Sequence, residues 1–240
     1  MKACVFVDGE NFRYSVNQLI DGTRKTFDYL PSCDWGLFFD SIIRKCYQAE
    51  RLRVYWYSVP KIIFKPDALY KHGKFEEVNG VKTDLLEACV KKHGTKELKE
   101  DLASTCKRLC ERQTEIQKRF DGWKRQEDGI ASKNEGIEFR RAGVVKFNLF
   151  TDRFEDEKEI DVKLAIDLLE LRNIYDVAIL ISGDQDFVPA IKIVKDSGKK
   201  VANINFKTRG GNLLTGWSYA LNVFCDKTVV VPYSEIEKLI

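Results

Sequence analysis

Five consecutive apolar residues, Val177-Ala178-Ile179-Leu180-Ile181, run without polar alternation and stop at Ser182-Gly183-Asp184-Gln185-Asp186-Phe187. A strand that is apolar on both sides must be covered on both faces, the situation of a parallel sheet between helix layers. Pro189 follows where a helix can begin, since a first-turn proline forfeits no hydrogen bond. Asp184 and Asp186 therefore stand at the carboxyl end of a buried strand, where open α/β sheets bind their ligands. A pair of helix-capping aspartates would account for the same turn.

The beginning of the sequence repeats this grammar. Ala3-Cys4-Val5-Phe6-Val7 is a second apolar run, ending in Asp8-Gly9-Glu10-Asn11-Phe12, and Asn11 to Ile20 can be helical. Asp34 is placed to cap a helix on which Trp35, Phe38, Phe39, Ile42, Ile43 and Cys46 recur at core spacing. Leu52 to Val59 predicts the second strand and Gly143 to Leu149 the third, with Arg140 and Arg141 just ahead of it. A helix over Ile160–Leu171 follows, and then the Val177–Ile181 strand. A helix from Phe187 to Ser197 stops at Gly198, and Lys200 to Asn205 is a fifth strand. A helix around Asn212–Phe224 and a last strand at Val229–Pro232 come after it. Alternating strands and helices predict an α/β fold with a mostly parallel sheet in the order 3-2-1-4-5, placing the first and fourth strands side by side.

Between about 61 and 135 the rhythm changes. Residues 91–127 hold eleven Lys and Arg against seven Asp and Glu. One apolar seam runs through Leu98, Leu102, Cys106, Leu109, Ile116, Phe120 and Trp123 behind a capping Thr95. The segment is expected to be a charged helical insertion within a single domain spanning 1–240. A dimerisation arm and a basic wall beside a nucleic-acid groove are the sharper alternatives, and a domain face is a second candidate homodimer surface.

The net charge is only +3, so any nucleic-acid surface must be a local patch. Lys207 and Arg209, after the fifth strand, are the candidate patch, against ordinary surface charge as the plain alternative. Seven scattered cysteines without a Cys-x-x-Cys pair argue against a disulfide framework or zinc site and for a reducing cytoplasm. No signal peptide is expected ahead of the first strand, and no apolar stretch approaches the roughly 20 residues that span a bilayer. No membrane partner is expected. Asp8, Asp161, Asp184 and Asp186 follow three different elements that the sheet order brings together. Clustered carboxylates raise one another's pKa unless a cation shares the site, and hard oxygen ligands select Mg²⁺ or Mn²⁺. The only histidines, His72 and His93, lie in the charged segment, away from these acids.

Three motifs, Val7-Asp8-Gly9-Glu10-Asn11-Phe12, Lys158-Glu159-Ile160-Asp161-Val162 and Ser182-Gly183-Asp184-Gln185-Asp186-Phe187, resemble the signature motifs of NYN domains, relatives of the PIN nucleases. The resemblance covers roughly 1–60 and 137–232, and Gln185 departs from the small residue often found at its position. It implies a PIN-like three-layer fold and a metal-dependent ribonuclease, an enzyme cutting single-stranded RNA by in-line attack of water activated on Mg²⁺ or Mn²⁺. Carried over by motif, Asp8, Asp161, Asp184 and Asp186 form the acidic catalytic and metal site. Asn11, Ser182 and Lys158 are its polar support. The alternative is a non-catalytic RNA-binding or regulatory module that retains the acidic pocket. A phosphatase of the haloacid dehalogenase type is excluded, because Glu10 and Val188 occupy positions where it would need acids of another pattern.

Overall fold

The computed structural model describes residues 1–21, 30, 33–65, 102–155, 159–208, 210–214 and 218–237. Thr95, Leu98, Lys158, Arg209, His72 and His93 lie outside the described residues, and so do the expectations placed on them. In chain order the elements are β1 (Lys2–Asp8), α1 (Gly9–Asp21), α2 (Trp35–Cys46), β2 (Glu50–Ser58), β3 (Ile62–Lys65) and α3 (Leu102–Lys133). Then come β4 (Ile137–Arg141), β5 (Val145–Asn148), β6 (Arg153–Phe154), α4 (Ile160–Glu170), β7 (Val177–Ile181) and α5 (Val188–Asp196). The last are β8 (Lys200–Lys207), α6 (Tyr219–Phe224), β9 (Lys227–Pro232) and α7 (Tyr233–Ile236).

Two compact units emerge. The first comprises Met1–Ser58, Arg125–Ala142 and Glu159–Ile240, and the second Val59–Lys124 and Gly143–Lys158. The first is built on a six-stranded sheet in the order β4-β2-β1-β7-β8-β9, with every pairing parallel. The chain adds strands outward from β1 in one direction and outward from β7 in the other. The reversal lies between these two central strands, which pair from Ala3↔Val177 to Val7↔Ile181. This is the switch point the two apolar runs predict, and the last strand expected at Val229–Pro232 lies within β9, which joins the sheet beyond β8.

One strand is corrected. The third strand of the central sheet is Ile137–Arg141, not Gly143–Leu149. An edge strand needs no continuous apolar run, so Ile-Glu-Phe-Arg-Arg fits there although its charges argue against a buried strand. Within Gly143–Leu149, Val145–Asn148 instead pairs parallel with Ile62–Lys65 and antiparallel with Arg153–Phe154, in a three-stranded sheet of the second unit. Phe147 and Phe154 meet edge-on there at 5.1 Å, and Trp123 approaches Phe154 at 6.0 Å. In the seam of α3, Leu109, Ile116, Phe120 and Trp123 are buried as the helical spacing predicts. The charged segment is not helical throughout, since it also contributes β3.

Both faces of the central sheet are covered, which is why β1 and β7 tolerate no polar alternation. On one face Val5, Val7, Trp56, Ile179, Ile181 and Ile204 pack with Phe12 of α1 and with Trp35, Phe38 and Phe39 of α2 in one core. The Trp56 ring is its centre, with Phe12 at 5.3 Å, Trp35 at 5.1 Å and Phe139 stacked at 5.0 Å. Such aromatic contacts add directional preference to burial and fix how α1 and α2 lie on the strands. On the other face Phe6 meets Tyr175 edge-on at 5.7 Å, and Leu164 and Leu168 of α4 are fully buried. Helix-sheet-helix layering of this kind is the three-layer α/β class expected.

Helix boundaries follow local chemistry. Asp34 caps α2 by accepting from the Leu37 amide at 2.9 Å. Gly198, at φ +81°, terminates α5 in the left-handed conformation that glycine adopts without penalty. The helix expected around Asn212–Phe224 is shorter, Tyr219–Phe224, because Ser218 caps it by accepting from Leu221 N at 3.3 Å. Helix α1 starts at Gly9, directly on the end of β1. A Cβ at Gly9 would overlap the Tyr57 carbonyl oxygen and stand 3.1 Å from the Trp56 indole nitrogen. Gly9→Ala is therefore expected to destabilise the fold by about 2–3 kcal/mol. A denaturant midpoint equal to that of the unmodified chain would show that the strand-helix junction gives way instead.

Candidate functional site

The carboxyl ends of β1 and β7 lie side by side, so Asp8 closes the first strand beside Ser182, the residue that follows the other. Asp8 is only 6% exposed. Its Oδ2 accepts from Ser182 Oγ at 2.8 Å, and its Oδ1 from the Asn11 amide at 3.2 Å. Ser182 Oγ also accepts from the Asp184 amide at 3.0 Å. Asp184 Oδ1 in turn accepts from the Asp186 amide at 2.9 Å, capping the short 3₁₀ turn Gln185–Phe187. Asp8, Ser182, Asp184 and Asp186 thus form one hydrogen-bonded run, with Asn11 joined through its main chain.

Asp161 enters from α4, in its first turn, where the positive end of the helix dipole favours a carboxylate. Residue 159 before it is unusual. Glu159 has φ 84°, a left-handed conformation that costs a non-glycine residue, and makes no side-chain cap. Burial raises the Asp161 pKa, and the Asp184 and Asp186 charges raise it further. Burial likewise pushes Asp8 up to about 7. The hydrogen bonds from Ser182 and Asn11 pull against that rise, while Asp161 and Glu10 add to it. The four aspartates predicted from the sequence therefore share one electrostatic site. They are not a finished cage: among the described residues no group of three or more His, Cys, Asp or Glu could hold a metal ion.

Lys207 is exposed at the end of β8, on the carboxyl edge of the sheet.

Several neighbours escape sequence reasoning. Glu10, paired with Arg13 at 2.6 Å, contributes to the field at Asp8 and also at Glu127. Glu127 is largely buried, accepts from Ser58 Oγ at 3.1 Å and pairs with Arg141 at 3.2 Å. Burial lifts its pKa to about 7 despite these partners. Asp167 is 1% exposed and takes Tyr57 Oη at 2.9 Å, Arg140 Nη1 at 2.6 Å and Lys163 Nζ at 2.6 Å. Burial works to raise its pKa, but those three donors prevail and hold it below the usual carboxylate range. The available signal for Asp167 was a charge between Leu164 and Leu168 on the core face of a helix. Glu127 carried none, since it lies in a segment full of charges.

The family model of the NYN domain matches residues 96–213, a span that contains Asp161, Asp184 and Asp186. Over this span the chain is similar to the NYN domain family. The matched span begins after the Asp8 motif, which the pairing of β1 with β7 and the Ser182 hydrogen bond bring beside the Ser182–Asp186 turn. NYN domains are a PIN-like nuclease family, which supports a nuclease-type function for this chain. No curated protein matches the chain. A solved structure of a protein of unknown function from Vibrio parahaemolyticus is similar over 96% of this chain and 92% of its own. Its identity is 14% and its TM-score 0.44. Among the described residues no helix is long and apolar enough to cross a membrane.

Proposed function

We propose that this protein is a Mg²⁺- or Mn²⁺-dependent ribonuclease that hydrolyses phosphodiester bonds of single-stranded RNA. The observation carrying this reading is the buried Asp8 carboxyl, raised to about 7 beside Asp161 and the Ser182-Asp184-Asp186 run. A buried acid in the field of other acids is stabilised in its charged form by a divalent cation. The donors are all oxygen, which suits Mg²⁺ or Mn²⁺, and Mg²⁺ is commonly held by one or two carboxylates with water and substrate oxygens filling the rest. Asp8, Asp161, Asp184 and Asp186 are the residues assigned to hold it, directly or through its waters. When bound, such a cation lowers the pKa of water and offsets charge on the phosphate oxygens. Ser182 orients Asp8, and the Asn11 amide fixes its other oxygen. Lys207 and Arg209 are assigned to the flanking phosphates.

A second reading is a non-catalytic RNA-binding or regulatory module that retains the acidic pocket, favoured by the two Asp8 oxygens that already accept from Ser182 and Asn11. Incubating the purified protein with end-labelled single-stranded RNA, in Mn²⁺ and in EDTA, separates the two. Fragments that appear only with Mn²⁺ support the nuclease. RNA retained intact in both conditions supports the binding module.

RNA affinity is expected to depend on salt through the basic edge. Changing Lys207 and Arg209 together to alanine should weaken binding and flatten its dependence on salt concentration, by about one unit of slope for each phosphate no longer engaged. An unaltered slope in a filter-binding titration would place the RNA surface elsewhere.

A further inference from the structure

We propose that Asp167 is a positioning residue, fastening α4 to the sheet so that Asp161 is held in the field of Asp8. This inference rests on the metal-dependent reading above and assigns a role to a residue outside the three motifs. Helix α4 carries Asp161 in its first turn, yet that end has no side-chain cap and begins from the left-handed Glu159. Besides the buried Ile160, Leu164 and Leu168, polar contacts six residues beyond Asp161 hold α4. Tyr57 on β2 and Arg140 on β4 both reach Asp167, and these strand residues are register partners. Tyr57 is also the register partner of Asp8 on β1. One buried carboxylate therefore ties the helix bearing Asp161 to the row of the sheet that ends in Asp8. Lys163 closes the same carboxylate from within the helix. Arg140 is itself fixed, by Glu138 at 3.0 Å and by lying 4.1 Å over the Tyr55 ring.

Residues that orient metal ligands without touching the ion typically change affinity by about 10–100-fold when altered. The test is a titration of EDTA-stripped protein with Mn²⁺ alone, followed by electron paramagnetic resonance well below the melting midpoint. Mn²⁺-dependent cleavage is measured on the same preparations. Asp167→Asn keeps shape and the Tyr57 contact but removes the charge that holds Arg140 and Lys163. It is expected to weaken Mn²⁺ binding about tenfold or more. Asp167→Glu should recover part of the loss, and Tyr57→Phe should produce a smaller shift in the same direction. A residue that only stabilised the fold would lower the melting temperature and leave Mn²⁺ affinity unchanged. That result in Asp167→Asn, with the unmodified protein binding and cleaving normally, overturns the positioning role and leaves the nuclease reading intact. If Asp167→Asn does not fold, Tyr57→Phe decides, and wild-type affinity there overturns the proposal. If the unmodified protein neither binds Mn²⁺ nor cleaves, the nuclease reading falls and this inference falls with it.

Discussion

Exchanging Asp184 for asparagine is expected to lower Mn²⁺-dependent RNA cleavage at least about a hundredfold while leaving the melting temperature unchanged or slightly raised. The two halves of this expectation have separate causes. Asp184 Oδ1 caps the 3₁₀ turn by accepting from the Asp186 amide, a bond that an asparagine carbonyl keeps, and Asn and Asp cap about equally well. The Asp184 amide continues to donate to Ser182 Oγ, since the main chain is untouched. What disappears is a negative charge, one of the two that raise the Asp161 pKa. Folding loses a repulsion, whereas the cation loses an assigned ligand and with it several kcal/mol of transition-state stabilisation. Melting curves and cleavage rates from one preparation check both. Normal cleavage would leave Asp184 as a cap and nothing more.

In EDTA, Asp8→Asn is expected to make the protein more stable above neutral pH, by about 2 kcal/mol, and to make no difference near pH 4. The Asp8 carboxyl has a pKa of 3.8 when unperturbed and about 7 when folded. Between those values the folded state holds a proton that the unfolded state has released, so stability falls as pH rises through this window and levels off above it. Three pH units correspond to about 4 kcal/mol at most. Asparagine recovers less than this, because one of the Ser182 and Asn11 bonds becomes harder to satisfy. Glu127, also raised to about 7, contributes the same slope to both proteins and cancels in their difference. Added Mn²⁺ should narrow the gap by stabilising the unmodified chain, as any ligand of the native state does. Urea titrations from pH 4 to 8 measure all of this, and two parallel stability curves would show that Asp8 ionises freely.

What the sequence revealed depended on how strongly local chemistry constrained each segment. Val177–Ile181 and Ala3–Val7 are apolar because both faces of the sheet are covered, and few other arrangements of a chain produce that pattern. From it came the switch point and the placement of Asp8 beside the Ser182–Asp186 turn. Asp34 and Gly198 end helices through bonds made within a few residues, so they too were readable. The third strand was not. Ile137–Arg141 lies at an edge where Glu138 and Arg140 pair with each other, and the pattern of a buried strand is absent. Asp167 and Glu127 were out of reach for a different reason. Their partners are 110 and 69 positions away, at Tyr57 and Ser58, and no spacing rule reports such a meeting.

The central position of β1 has a consequence for how the protein is made. Ser182 and Asp8 are 174 positions apart and touch only when β7 slots in beside β1. A ribosome adding roughly 5–20 residues each second needs about nine to thirty-five seconds to span that interval. During that time β1 can already lie against β2, but its other edge waits for a partner that has not yet been synthesised. Non-local parallel pairing of this kind also folds slowly once the chain is complete. The acidic site therefore does not exist on the nascent chain while its first half is being translated.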